Sequence, residues 1–280
     1  MKMRMAVAVP TALAVMLLTP GWSSATQEAD QPSLFKSCKE GQQSTRLALC
    51  EEYLPPGGGV RIHIGGPNQD QCTTGFGVWK RDTDGATEPY ALTAAHCAMG
   101  NVTRDTYTDE GRFLGNLIDL KYTLDQDSAL LEGNETYKYF TENVFSGGPK
   151  TTKQLSVRGQ STPAKGDKVC TSGSTTGEVC NVALKNTVPK CVKMLVDEEV
   201  VDRCGLIEAY RPGKRVVASG DSGGPVYQKK DANTVNAVGI IIGGDDDGQT
   251  VYYQPIAAVL QSYGVTLATC WDTVPNICEH

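Results

Sequence analysis

Short runs of β-branched and aromatic residues, separated by Gly, Asp and Asn turns, constrain the fold of this chain more than any other feature. Such runs are typical of strands, and many of them at short spacing favour a β-sandwich or a β-barrel. The sequence therefore predicts an all-β fold. The predicted strands are Val60–Ile64, Thr73–Trp79, Tyr90–Thr93, Phe113–Tyr122, Ala129–Glu132, Leu155–Arg158, Lys168–Thr171, Val182–Val188, Val192–Val196, Gly205–Tyr210, Pro225–Gln228, Val235–Ile242 and Thr250–Tyr253.

The last regular segment has a different period. Apolar residues recur at helical spacing between Pro255 and Tyr263, and Gly264 follows at a position where helices commonly end. We predict one C-terminal helix there.

Residues 1–25 have the features of a secretory signal peptide. Lys2 and Arg4 precede an apolar run, Met5–Leu18, and small residues follow at Ser23–Ala25. That run is shorter than the roughly 18 residues of a membrane-spanning helix, and no later stretch reaches that length. We expect a secreted, extracellular protein that does not associate with membranes.

Residues 26–59 form a polar leader with its own cysteine pair, and the leader ends in a Pro-Pro-Gly-Gly-Gly cluster. Such a cluster does not continue a regular element and marks a linker or a processing region. Two interpretations stay open, a cleaved pro-segment and an extension that remains attached. The main domain is placed at residues 60–269 and a cysteine-bearing tail at residues 270–280.

The charge balance excludes two classes of partner. The 280 residues include 26 basic and 32 acidic side chains, for a net charge of −6, and removal of Lys2 and Arg4 with the signal peptide makes the chain more acidic. Because no basic cluster is present, we expect neither nucleic acid nor anionic membrane as a partner.

The ten cysteines of an exported chain indicate disulfides. Each cysteine has a close neighbour in sequence, which suggests local pairing. With only three histidines and no C-x-x-C motif, we expect no metal site and no other cofactor. The suggested pairs are Cys38–Cys50, Cys72–Cys97, Cys170–Cys180, Cys191–Cys204 and Cys270–Cys278.

The stretch G-D-S-G-G-P, Gly220–Pro225, is typical of a nucleophile on a tight turn. The serine hydroxyl is exposed on such a turn, and the N–H groups of Gly220 and Ser222 are placed to stabilise an oxyanion. The pattern G-x-S-x-G also occurs in the α/β-hydrolases, an unrelated fold.

A serine nucleophile needs a base, and the base needs an orienting acid. His96 follows an apolar strand and Asp127 begins another, with Asp125 as a competing acid. An α/β-hydrolase requires its histidine after the serine, where this chain has only His280. The order His96, Asp127, Ser222 therefore favours the chymotrypsin-type arrangement.

The motifs T-A-A-H-C (Thr93–Cys97), D-S-A-L-L (Asp127–Leu131) and G-D-S-G-G-P-V (Gly220–Val226) resemble the chymotrypsin-like serine proteases. The stretches Cys72–Val78 and Cys170–Cys180, with the C-terminal helix, are similar to the bacterial streptogrisin branch of that family. The resemblance covers roughly residues 60–267.

This resemblance implies two six-stranded antiparallel β-barrels with a cleft between them. It also implies that His96 acts as general base and acid, that Asp127 orients it, that Ser222 attacks the carbonyl, and that Gly220 and Ser222 form the oxyanion hole.

The resemblance places Val216 at the floor of the specificity pocket and Ile242, Gly243 and Gly244 along its wall. An uncharged floor favours medium or large apolar substrate side chains. The acids Asp245–Asp247 follow the wall, and they leave open a preference for basic residues.

Two positions depart from the family pattern. Ile242 stands where a serine usually donates to the catalytic acid. Thr171 stands where the branch has an arginine that pairs with the aspartate before the nucleophile, here Asp221. A buried Asp221 needs a partner. Candidates for that partner are Lys214, Arg215 and an amine freed by cleavage between Arg61 and Ile62.

The predicted function is a secreted serine endopeptidase that prefers apolar residues before the scissile bond. We expect a monomer whose partners are protein or peptide substrates and protein protease inhibitors. Two alternatives remain, a catalytically silent binding protein and a protease with narrow specificity for basic residues.

Overall fold

The computed structural model describes residues 45–47, 49, 56–196 and 199–269, and it is built almost entirely of strands. The strands are β1 (Arg61–Ile64), β2 (Asp70–Thr73), β3 (Gly77–Arg81), β4 (Thr87–Thr93), β5 (Asp105–Thr108), β6 (Phe113–Tyr122), β7 (Asp127–Gly133), β8 (Asn143–Phe145), β9 (Gln154–Gln160), β10 (Lys168–Gly173), β11 (Gly177–Leu184), β12 (Lys190–Val196), β13 (Glu199–Tyr210), β14 (Pro225–Lys229), β15 (Thr234–Gly244), β16 (Thr250–Pro255) and β17 (Val265–Leu267).

The strands form two sheets. The first has eight strands in the order β17–β3–β4–β7–β6–β5–β1–β2, all antiparallel. The second has nine. Within it β13, β11, β10, β14, β15 and β16 pair in a closed ring, which is the predicted six-stranded barrel. The pairing of β9 with β15 is parallel and lies outside this ring.

Burial explains why these sequences form strands. Leu92 in β4 and Leu130 and Leu131 in β7 are completely buried in the larger core. The barrel of the second sheet encloses a smaller core rich in valine, including Val182, Val226 and Val251. β-branched side chains pack well on a pleated sheet surface, so the valine-rich runs and the barrel agree.

Most of the predicted strands are present, with different limits. The run Thr73–Trp79 is interrupted at Gly75, where the N–H donates to the Leu92 carbonyl at 2.6 Å. The run Val182–Val188 ends at Leu184, and the short strands β5, β8 and β17 were not predicted. The predicted helix is present as α1 (Ile256–Tyr263), and Gly264 ends it with φ +64°.

Three of the suggested disulfides are confirmed: Cys72–Cys97, Cys170–Cys180 and Cys191–Cys204. The Cys38–Cys50 and Cys270–Cys278 pairs, the signal peptide and the tail lie outside the described residues. In the described part of the chain, no helix has the length and apolar character needed to cross a membrane.

Two residues of the leader pack into the fold. Arg46 and Leu49 are 0% and 2% exposed, and the Arg46 carbonyl accepts the N–H of Arg61 at 2.9 Å. Residues before the boundary placed at residue 60 therefore pack against the main domain.

Candidate active site

His96 and Asp127 are brought together by two neighbouring strands. β4 ends at Thr93, and the 3₁₀ turn that follows, Ala95–Ala98, carries His96. β7 begins at Asp127. The two strands pair antiparallel with Thr93 opposite Ala129, so the end of β4 lies beside the start of β7.

Two hydrogen bonds join His96 to Asp127. The backbone N–H of His96 donates to Oδ1 at 2.9 Å, and Nδ1 lies 2.8 Å from Oδ2. Because a carboxylate only accepts, Nδ1 carries the proton, and Nε2 of the neutral ring is left as an acceptor. The competing acid Asp125 is exposed, and its backbone carbonyl accepts a hydrogen bond from Gln254 at 2.8 Å.

Asp127 is only 2% exposed. Burial raises the pKa of its carboxyl, but the charge and hydrogen bonds of His96, together with the charge of Arg203, outweigh burial and hold the pKa below its ordinary value. Asp127 is therefore a carboxylate at neutral pH.

Ser222 lies on a tight turn before β14, and a hydrogen bond connects this turn to the first sheet. Its carbonyl accepts the N–H of Thr73 at 2.8 Å. The next residue, Gly223, has φ +86°, and a Cβ there would lie 2.2 Å from Oγ1 of Thr93. Glycine thus lets the turn lie directly against the end of the strand that leads to His96.

His96 and Ser222 line the same cleft, which has a volume of about 860 Å³. Residues of both sheets border it, among them Cys72 and Cys97 on one side and Gly220 and Ile242 on the other. Ser222 is half-buried, as is His96.

Gly220 has a conformation that other residues rarely adopt. Its φ is +91°, and a Cβ would lie 2.1 Å from Nε2 of Gln71. In the part of the chain that the structure describes, no hydrogen bond uses the N–H of Gly220 or that of Ser222, whereas the N–H of Asp221 donates to Ala218 at 3.0 Å.

Asp221 is completely buried, and its carboxylate accepts four hydrogen bonds. The donors are the N–H groups of Thr175, Thr176 and Ala218, at 2.8, 3.1 and 2.8 Å, and Oγ1 of Thr176 at 2.8 Å. Burial raises the pKa of Asp221 above its ordinary value in spite of these bonds.

Neither Lys214 nor Arg215 donates to Asp221 among the described residues, since Lys214 is exposed and Arg215 lines the cleft. In the uncleaved chain the third candidate, the amine freed by cleavage between Arg61 and Ile62, is still a backbone N–H of β1. Thr171 donates its hydroxyl to the Val216 carbonyl at 2.9 Å. Backbone N–H groups and a threonine hydroxyl occupy the position for which a cation was expected.

Arg46 is the buried cation near this turn, and no sequence pattern indicated it. Its guanidinium donates to the Phe145 carbonyl at 2.8 Å and to Oγ of Ser172 at 2.7 Å, with longer contacts to the carbonyls of Gly59 and Gly147. Burial lowers the pKa of Arg46 to about 10 even though the negative charge of Asp221 acts in the opposite direction.

Three of the four predicted pocket residues, Ile242, Gly243 and Gly244, line the cleft, but Val216 does not. Val216 is 0% exposed because its side chain belongs to the valine-rich core of the second sheet. The following residue, Val217, lines the cleft in its place.

The acidic loop at the cleft rim is internally hydrogen-bonded. The Asp245 carboxylate accepts the N–H of Thr250 at 2.9 Å, and the Asp247 carboxylate accepts the N–H of Gln249 at 2.9 Å. Asp245 and Asp246 line the cleft together with two cations, Lys193 and Arg215.

Among the residues that the structure describes, two groups of His, Cys and Glu side chains are close enough to hold a metal. They are Cys72, His96 and Cys97, and Cys170, Glu178 and Cys180. Both contain a disulfide, and disulfide sulfurs supply no thiolate ligand. Neither group therefore fits a metal ion.

Comparison with known families gives one clear match. The family model described as Trypsin matches residues 86–262. Streptogrisin-C of Streptomyces griseus is 27% identical over 221 residues, which cover 78% of this chain and 42% of that protein. The chain thus spans less than half of the length of this relative.

Solved structures with the same fold include bacterial proteases. The Nocardiopsis protease is 26% identical with a TM-score of 0.57, and a Cellulomonas bogoriensis chymotrypsin is 25% identical with a TM-score of 0.56; each match covers 77% of this chain and 100% of the other. A glutamic acid-specific serine protease, 20% identical with a TM-score of 0.58, shares the fold over 75% of this chain and 98% of its own.

Proposed function

Because the chain belongs to the trypsin family of chymotrypsin-like serine proteases, in its streptogrisin branch, we propose that it is a secreted endopeptidase that forms an acyl-enzyme on Ser222. One observation carries this proposal. His96 holds Asp127 through two hydrogen bonds and lines the same cleft as Ser222. A base held by its orienting acid and a nucleophile therefore face one substrate-sized space.

In the proposed reaction, Nε2 of His96 removes the proton of the Ser222 hydroxyl as the oxygen attacks the scissile carbonyl. His96 then gives this proton to the leaving amine. Asp127 remains ionised throughout, which keeps the proton of the neutral ring on Nδ1 and stabilises the imidazolium. Water repeats the sequence on the acyl-enzyme and releases the acid product.

The N–H groups of Gly220 and Ser222 are the proposed oxyanion donors. Both are free of other hydrogen bonds within the described residues. The positive φ of Gly220 sets the orientation of its peptide. Fixed donors of this kind stabilise the tetrahedral intermediate without reorganisation during the reaction.

The proposed substrates have a small apolar residue before the scissile bond. A Cβ on Gly244 would lie 2.3 Å from Cγ1 of Val217, so Val217 packs directly on the backbone of this wall residue. Val217 thereby takes up space beside this wall, which favours a small side chain such as alanine or valine over a large one. A basic preference is not favoured, since Lys193 and Arg215 offset the acids at the rim.

The test is labelling with a serine-directed phosphonate, combined with hydrolysis of a peptide library. Ser222→Ala and His96→Ala are each expected to reduce kcat by roughly 10⁴-fold or more and to abolish labelling. Ser161→Ala and His63→Gln are the matched controls, because both residues lie away from the cleft. An inert and unlabelled wild-type protein refutes the endopeptidase and favours a silent binding protein.

A further inference from the structure

β12 and β13 pair as a ribbon that passes the loop before Asp127. The disulfide Cys191–Cys204 links its two strands. The N–H of Cys204 donates to the Leu124 carbonyl at 2.7 Å, and Gly205, with φ +72°, lies so close that a Cβ would be 2.8 Å from the Asp125 carbonyl oxygen. The backbone around Arg203 is therefore held against the segment that carries the catalytic acid.

The Arg203 side chain lies between Tyr122 and Asp127. Its guanidinium carbon is 3.9 Å from the centre of the Tyr122 ring, and Tyr122 is the residue opposite Asp127 in the pairing of β6 with β7. Nη1 donates to the Asp202 carbonyl at 3.2 Å. The Arg203 side chain is 9% exposed, so the surrounding residues hold it in this position.

One polar atom of this side chain makes no hydrogen bond within the described residues. Nε of Arg203 is buried, has no hydrogen-bond partner among the described residues, and lies 3.8 Å from Oδ2 of Asp127. Oδ2 is also the oxygen that binds Nδ1 of His96. Ile242, the cleft residue expected to stand beside the acid, has no polar side-chain atom.

We propose that Arg203 is a positioning residue, whose guanidinium keeps Asp127 ionised and oriented toward His96. This inference rests on the proposed function. Arg203 does not line the cleft, so the proposed effect on the reaction passes through Asp127.

The positive charge of Arg203 has a predictable effect on the pH dependence of kcat/KM. The ionisable groups around Asp127 are His96 and Arg203, then Tyr122 and Tyr263, with exposed Asp125, Asp202 and Lys193 farther out. Of these, the Arg203 charge favours the carboxylate and disfavours the imidazolium. Its removal makes protonation of both Asp127 and His96 easier, so the acid limb of kcat/KM moves to higher pH.

The experiment compares wild type, Arg203→Met and Arg203→Lys by pH profiles of kcat and kcat/KM. For Arg203→Met we expect an upward shift of the acid limb by about 0.5–1 pH unit. We also expect about a 10-fold lower kcat with little change in KM, far less than the roughly 10⁴-fold effect of removing the orienting acid. Arg203→Lys keeps the positive charge, so we expect its acid limb to lie close to the wild-type pH. Lys168→Met, which makes the same charge change at an exposed residue of β10, leaves the acid limb unchanged.

A second readout does not depend on turnover. The NMR signal of the Nδ1 proton of His96 is followed through a pH titration. We expect the midpoint of this titration to lie at higher pH in Arg203→Met than in wild type. The inference is overturned if the acid limb and this midpoint stay at the wild-type pH, or if kcat falls without any shift. If the wild type is inert but the midpoint still shifts in Arg203→Met, the proposed function is refuted and the effect of Arg203 on Asp127 and His96 is supported.

Discussion

Replacing Arg46 by alanine is expected to lower the free energy of unfolding by about 3–5 kcal/mol. Arg46 is 0% exposed, and its two shortest hydrogen bonds go to the Phe145 carbonyl and to Oγ of Ser172. Hydrogen bonds from a charged donor contribute about 1.5–3 kcal/mol each, so two of them account for the expected loss. The longer contacts to Gly59 and Gly147 are left out of this figure.

Two features of the structure limit the loss. Oγ of Ser172 also donates to the Phe145 carbonyl at 2.5 Å, and the Gly147 carbonyl also accepts the N–H of Glu178 at 2.7 Å, so these groups keep partners without Arg46. Arg46→Met fills the space of the aliphatic stem and removes the cost of burying a charge. We expect Arg46→Met to lose about half as much stability as Arg46→Ala.

Urea denaturation of the purified protein measures both variants, with Arg81→Ala at an exposed position as the control. The reasoning is refuted if Arg46→Ala unfolds within about 0.5 kcal/mol of wild type, the range of ordinary surface substitutions. It is also refuted if the active, equally stable protein has an N-terminus beyond residue 46. N-terminal sequencing of the same sample shows whether the leader is cleaved or remains attached.

Two further predictions concern specificity and pH. Val217→Gly is expected to deepen the pocket and to move the preferred residue before the scissile bond from alanine or valine toward leucine or phenylalanine, by about 10-fold or more in relative kcat/KM; an unchanged peptide-library profile contradicts this role of Val217. His63 faces two acceptors, the Gln69 carbonyl at 2.9 Å and the Asp109 carboxylate at 3.0 Å, and the Asp109 hydrogen bond raises the pKa of His63. Its stabilising contribution is therefore present below the unfolded pKa of about 6.5 and is lost as pH rises through the folded value. The difference in Tm between wild type and His63→Gln is then larger at pH 5 than at pH 9, and the opposite trend contradicts a charged His63.

The parts of the site that the sequence could predict are those whose position follows from local pattern. His96 and Asp127 stand at the ends of two apolar runs, and neighbouring antiparallel strands bring such ends together without any further information. The three confirmed disulfides join cysteines 25, 10 and 13 residues apart, so proximity in sequence was sufficient there as well.

Arg46, Arg203 and Val217 could not be found in the same way, because tertiary packing decides their surroundings. A buried arginine is stable only where several acceptors converge on it. The acceptors of Arg46 come from Phe145 and Ser172, which are 99 and 126 residues away along the chain. Val216 and Val217 are chemically identical neighbours that both belong to the core of the second sheet, yet only Val217 also lines the cleft. A shift of one residue in an irregular segment exchanges those environments, and neither composition nor periodicity records which register the fold selects.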